Sequence, residues 1–402
     1  MIKSSQFMEK KWVLVRQWVG LITCLALMIT YSFFLLNQNN LRAEKWNTPK
    51  DSMFLAAMDY PEQTNGGDHR PMPVGKQVVP YDFHDDLNRT IKTLAIGSDR
   101  ELMIGTEDWY SHPKAPSPLT TFEYGKVIRP ASPIYLSLGD AVIRSNNFNR
   151  SQLSAVVYMS YSDFAVIDGE RYYRVGADQW MTEEDLIPEQ YSIFSGVVIE
   201  KTVDFNFGWV LEDRYSIIID DQTGEEKTGQ WFYRYQVLPV YSIQTNSSGN
   251  SYEIAPGEWL PDESFSFVSI NLIPPANVKN CRWIDVSISQ QNLVIYDQCK
   301  MVFATLISSG KHPGWTAPGL YSIGRKEEYI TLTDLNPADP DSYYLQDVPW
   351  VMFYAGSWAI HSAYWHDNFG FPYSHGCITL SPADARFVYS WVKWGDVLRI
   401  IG

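Results

Sequence analysis

The sequence predicts a mainly β protein, and three observations carry that reading. Only 19% of residues are charged while 15% are aromatic, a balance that suits strands better than helical bundles. Twenty-five glycines and 23 prolines supply the turns that short strands need. From Tyr124 onward the apolar residues fall in brief runs, Lys126 to Arg129, Ile134 to Leu138, Ser154 to Ser160, Phe164 to Ile167 and Tyr172 to Val175, separated by turn residues. With 45% hydrophobic residues over 402 positions, the chain can bury more than one core, so two or three domains are expected. A net charge of −14 argues against a nucleic-acid partner held by bulk charge.

The elements follow in chain order. Residues 18–36 hold 19 positions without a charge, roughly 28 Å as a helix, close to a bilayer core. Lys3, Lys10, Lys11 and Arg16 precede the run with only Glu9 opposing, the polarity of an N-terminus that stays in the cytoplasm while the rest is exported. A cleaved signal peptide is the competing reading, but its apolar region usually spans only about 7–15 residues. Residues 1–40 therefore read as cytoplasmic N-terminus and transmembrane anchor, with the body of the protein outside the cytoplasm. Residues 41–123, with scattered Pro, Gly, Asp and His, read as a membrane-proximal linker with partial structure.

Within 124–275 the sequence echoes itself. Tyr173-Arg-Val-Gly-Ala-Asp-Gln-Trp180 matches Tyr252-Glu-Ile-Ala-Pro-Gly-Glu-Trp259 at an offset of 79, each followed by acidic residues and then Leu186 or Phe265. Two small SH3-like β-modules with a boundary near 190 would explain the echo, as would coincidence among aromatic strands. Asp168-Gly169 is a strong hairpin turn signal within the first. The last region, 278–402, has nine Lys+Arg and 11 Asp+Glu, so the acidic surplus lies upstream of it.

Four cysteines divide by position. Cys24 is in the apolar span. Cys281 and Cys299 each stand nine residues from Gln290, so folding Cys281–Cys299 about that point sets them opposite one another as a disulfide candidate, which export would preserve. Cys377 stands alone beside a crowd of histidines: His361, His366 and His375 fall within 15 residues. A thiol must lose its proton to attack a carbonyl, and a neighbouring imidazole accepts it. Gly376 permits a turn that would aim the amides of Gly376 and Cys377 at an oxyanion, with Ser374 holding that turn. The residues thus read as a Cys/His acyl-transfer enzyme. A zinc site is disfavoured because the spacing is neither HExxH nor paired CxxC. Asp367 and Asn368 read as loop-shaping, and His312 as a turn residue.

Ser374-His-Gly-Cys377-Ile378, the upstream His361, Asp347-Val-Pro-Trp350, Thr316-Ala-Pro-Gly-Leu-Tyr321 and Trp283-Ile-Asp-Val286 together resemble the L,D-transpeptidase catalytic domain, the YkuD family, over about 278–402. The resemblance implies a β-sandwich-like domain acting on peptidoglycan stem peptides. It implies no metal or organic cofactor, and sensitivity to carbapenem-type inhibitors. Cys377 would be nucleophile and His361 general base; His375 and Ser374 would shape the nucleophile turn, and the Ser362 carbonyl would orient His361. Tyr354, Trp358 and Trp365 are candidate walls for the stem peptide, though aromatics at strand spacing also read as core. After SHGC and a hydrophobic residue the family commonly has Arg or Asn, where this chain has Thr379. A threonine offers neither a guanidinium fork nor an amide pair. Either another residue, for which Arg386 is the candidate, replaces that contact, or donor specificity differs, or activity is weak. Two alternatives stand beside transpeptidation: an L,D-carboxypeptidase using the same thioester, and a non-catalytic wall-binding protein.

Overall fold

The computed structural model describes residues 109–114 and 119–402 apart from 221, 222, 248, 277, 279, 337 and 338, all within one compact unit. The expected anchor and most of the expected linker lie outside the described residues. The described part is mainly β, with short strands throughout.

The two echoed segments fold alike. Tyr173 lies on strand Glu170–Arg174, opposite Met181, and Arg174 faces Trp180 on strand Trp180–Thr182. Tyr252 lies on Gly249–Ala255, opposite Leu260, and Glu253 faces Trp259 on Glu258–Pro261. Both tyrosines are buried. Each hairpin belongs to a five-stranded sheet, and counted along the chain both sheets have the order second, first, fifth, fourth, third. Each copy adds a further trio in which a leading strand pairs with two later ones. In the first copy these are Glu123–Val127 between Val156–Tyr161 and Leu186–Pro188. In the second they are Asn206–Val210 between Val237–Val240 and Phe265–Val268. Asp168 and Gly169 take φ +54° and +89°, the paired left-handed residues of a two-residue hairpin turn.

The C-terminal part places two sheets around a shared core. One sheet runs Tyr110–Ser111, Val197–Ile199, Lys300–Leu306, Asn292–Asp297, Trp283–Ser287, Val397–Ile401, Gly319–Ser322. In it Ile284, Val286, Leu293 and Ile295 face one core while Trp283, Val294 and Tyr296 face another shared with Phe207, Trp209 and Val268 of the second upstream copy. Burial on both faces explains why residues 293–296 form a continuous apolar run instead of alternating. The second sheet runs Ile378–Leu380, Trp358–Ser362, Tyr343–Ala355 and then directly Val156–Tyr161 of the first copy, paired in parallel. Arg325–Asp334 pairs along Tyr343–Ala355 as well. Met352, Ile360, Ile378 and Leu380 of this sheet meet Ile284 and Leu293 of the other, with Ala385 and Val388 of the helix Pro382–Trp391 in the same core. Ser381 caps that helix by accepting the Asp384 amide at 3.3 Å, and Pro382 sits in its first turn.

The fully buried Asp384 carboxylate accepts the Gly196 amide at 2.9 and 3.0 Å and the Thr305 hydroxyl at 2.6 Å. Burial pushes it up from 3.8 to about 6, against those donors. The folded chain therefore holds this proton more tightly than the unfolded one, so the contribution is complete below about pH 4 and lost as pH rises through about 6. The stability of the native chain relative to Asp384→Asn should fall by roughly 3 kcal/mol from about pH 4 to pH 7 in denaturant melts; a difference that does not change with pH would mean the carboxyl titrates normally.

Cys281 and Cys299 form a disulfide across a sequence separation of 18, and the Cys299 amide donates to the Cys281 carbonyl at 3.0 Å. Gln291, at φ +50°, turns the hairpin between them. Replacing both cysteines by serine should lower stability by about 3 kcal/mol through the freed chain entropy of the unfolded state, measured as a shift in urea midpoint at constant slope.

Candidate active site

Cys377 directly precedes strand Ile378–Leu380, which pairs in parallel with Trp358–Ser362 so that Ile360 lies beside Ile378 and His361 beside Thr379. Continuing that register sets Cys377 beside Ala359. Since side chains alternate along a strand, Cys377 and His361 share one face, two positions apart. Sixteen residues of separation are thus closed by a single strand pairing.

The turn ahead of Cys377 is locked from several sides. Gly376 has φ +126°, and a Cβ there would lie 2.7 Å from the Trp315 carbonyl oxygen and 3.2 Å from Trp358 Nε1. Only glycine fits. Ser374 Oγ accepts the Gly376 amide at 3.0 Å and donates to the Cys377 carbonyl at 2.5 Å. Thr316, in the Thr-Ala-Pro-Gly stretch, accepts the Gly310 amide and donates to the Gly376 carbonyl, both at 2.8 Å. Because Ser374 already takes the Gly376 N–H, that amide is committed within the turn, a correction to its expected service as an oxyanion donor.

His361 is buried, and its Nδ1 donates to the Ser362 carbonyl at 2.8 Å, which leaves the lone pair on Nε2. Burial lowers its pKa to about 4, only partly offset by that carbonyl. Burial also pushes the Cys377 thiol up to about 11. Both groups therefore rest neutral near pH 7. Cys377 is half-buried, with Sγ 3.8 Å from the Ser357 carbonyl.

The remaining sequence candidates are distributed around this pair. Trp365 has its ring 5.9 Å from that of His361. Trp358 covers Gly376, as above. The His375 ring faces Trp315 and Tyr343 at 5.7 and 5.0 Å, in the wall beside the turn. Tyr354 is buried in the sandwich core against Tyr321, with its hydroxyl unpartnered, so it is more core than open wall. Burial, and then Cys377, hold its phenol well above the usual range. Thr379 is 1% exposed and donates to the Ser308 carbonyl at 3.1 Å; its hydroxyl is spent inside the fold, so it does not face a substrate. Nor does Arg386 replace the missing contact, because it donates to the Leu119 carbonyl at 3.0 Å and stacks on Trp350. Among the described residues no cluster of three or more His, Cys, Asp or Glu side chains could hold a metal ion.

Sequence reasoning missed Thr316 as the clasp of the nucleophile turn and Tyr343 as a wall. Tyr343 is held well above its ordinary pKa, first by burial and then by Cys377. The Thr-Ala-Pro-Gly stretch was visible as a motif; its contact with Gly376 spans 60 residues and had no local signal.

Residues 282–400 match the family described as the L,D-transpeptidase catalytic domain, YkuD. L,D-transpeptidase 2 of Mycobacterium tuberculosis is 32% identical over 105 residues, 23% of this chain and 24% of its own length. The chain thus spans about a quarter of that curated relative. The catalytic domain of Enterococcus faecium L,D-transpeptidase aligns at 25% identity over 31% of this chain and 98% of that one, with a TM-score of 0.27. An L,D-transpeptidase solved in complex with imipenem, LdtMt1, aligns at 17% identity over 53% and 93%, with a TM-score of 0.29. Residues 282–400, which carry Cys377, His361 and the turn that joins them, therefore match the YkuD family of L,D-transpeptidase catalytic domains.

Proposed function

We propose that this chain is a membrane-anchored, extracytoplasmic L,D-transpeptidase of peptidoglycan. The observation that supports this best is a cysteine fixed by a locked Ser-His-Gly-Cys turn on the same strand face as a buried imidazole whose Nδ1 is already occupied. Cys377 Sγ attacks the carbonyl at the L-centre of the diamino acid in a stem tetrapeptide as His361 Nε2 takes the thiol proton. The bond to D-alanine breaks, that proton passes to the departing amine, and a thioester remains. An amine of a neighbouring stem then attacks the thioester and gives its proton to His361; the C–S bond breaks and the thiol is restored.

Residues 1–40 supply the anchor in this reading, and 41–123 the linker. The two copies within 124–275 are small SH3-like modules that hold the catalytic region, 278–402, away from the membrane. Because strands of the first copy continue the catalytic sheet, activity is a property of the full chain. Imipenem, recorded on a related enzyme, indicates a carbapenem as the probe for Cys377.

Intact-mass spectrometry of the full chain with a carbapenem should show one covalent adduct. The adduct should be absent from Cys377→Ala and should form about a hundredfold or more slowly in His361→Ala, the usual contribution of a general base. A folded chain that forms none would remove the reading.

The acylation rate should keep its full value on the acid side until pH falls through about 4, where His361 protonates and ceases to be a base. A limb near 6.5 in a stopped-flow pH profile would mean the imidazole is solvated in the working enzyme.

A further inference from the structure

The segment Ala363–Tyr373 joins the strand of His361 to the turn of Cys377 and carries Trp365, so its position sets one wall of the site. It is gripped by residues outside the family match. Tyr235 Oη contacts the Asp367 carbonyl at 2.9 Å and Oδ1 at 3.0 Å. Arg234 donates to Tyr235 Oη at 2.6 Å, to Asp367 Oδ2 at 3.4 Å and to the Asp367 carbonyl. Ser192 donates to Asp367 Oδ1. Beneath these bonds the fully buried Phe369 packs with Phe194 and Trp209 in one core. A Cβ on Gly370 would come within 2.3 Å of Leu211. An independent observation falls on Tyr235 itself, which has φ +69°. A bulky residue in the left-handed region is strained and persists only where other contacts hold it.

The repeat gives this clamp a counterpart. Arg234 and Tyr235 stand just before Val237–Val240, with Gln236 between, and that strand is the second copy's equivalent of Val156–Tyr161. At the matching edge of the first copy, the Ala155 amide donates to Ser342 Oγ at 3.0 Å and the Val156 amide to the Ser342 carbonyl at 3.1 Å. That contact fixes the start of the strand bearing Tyr343, which faces His375. The same edge of both copies thus holds one of the two segments flanking Cys377.

We infer that Arg234 and Tyr235 are positioning residues for the Cys377 site: through Asp367 they set the segment that carries Trp365 against His361, so the upstream modules are part of the catalytic machinery and not only a spacer or tether. This rests on reading Cys377 and His361 as the reacting pair.

The test uses the full chain and the variants Tyr235→Phe and Asp367→Asn, alone and combined. Carbapenem acylation is followed by intact mass, and backbone amide exchange by hydrogen–deuterium mass spectrometry. Positioning predicts that each variant still reaches one adduct per chain but about tenfold more slowly, in keeping with the rate sensitivity to small misplacements. The double variant should be no slower than the worse single one, since the two groups act through one contact. Amides of residues 363–374 should exchange about tenfold faster while those of 292–306 do not change. A merely structural role would lower the final adduct yield and loosen both regions together. Unchanged acylation and unchanged exchange in a folded Tyr235→Phe overturn the inference. If the native chain forms no adduct, the reading of the site fails, and the exchange result alone decides whether the clamp exists.

Discussion

The site depends on one strand pairing. Trp358–Ser362 lies parallel to Ile378–Leu380 with His361 beside Thr379, and that pairing sets Cys377 and His361 on the same face. A register slip of one residue would send Cys377 to the opposite face, because side chains alternate. The pairing is protected by burial. Ile360, Ile378 and Leu380 are fully enclosed, so a slip would place the polar edge of these strands in the sandwich core. The Ser308 bridge to Thr379, with amide-to-carbonyl bonds of 2.9 Å in both directions, pins the same register from the other edge.

Burial then sets the electrostatics. An exposed Cys/His pair would titrate near neutral pH, whereas here the imidazole is pushed down to about 4 and the thiol up to about 11. Burial disfavours the charged form of each group, which is why the imidazole moves down and the thiol up. The Ser362 carbonyl contributes by fixing the tautomer, and Ser374 and Thr316 contribute by fixing the turn. None of these three needs a charge.

The upstream half is a duplicated eight-strand module, and its two copies are put to related use. The first extends the sheet of His361 in the plane of its hydrogen bonds. The second packs Phe207, Trp209 and Val268 against the far face of the other sheet. An accessory region hung on a flexible linker would not do this; here the interface is continuous core. Backbone pairing and core packing are the two routes by which a β-module can become inseparable from its neighbour, and this chain uses one for each copy.

The parts of this protein legible in the sequence are those whose cause is local. Composition determined a mainly β fold, Asp168-Gly169 a hairpin, and Gly376 a turn no other residue can take. Even the repeat was visible at two hairpins, because Tyr and Trp recur at the same pleat positions. Tertiary structure decided what depends on contacts between distant residues. It turned Thr379 inward to Ser308 and carried Arg386 away to Leu119. It set Thr316 on Gly376 and Tyr235 on Asp367. Periodicity and turn chemistry record how a segment folds, but hydrogen bonds spanning 60 or 132 residues leave no pattern in either partner's neighbourhood. Burial, which moves the His361 and Cys377 protons, belongs to the assembled core and to no single stretch of chain.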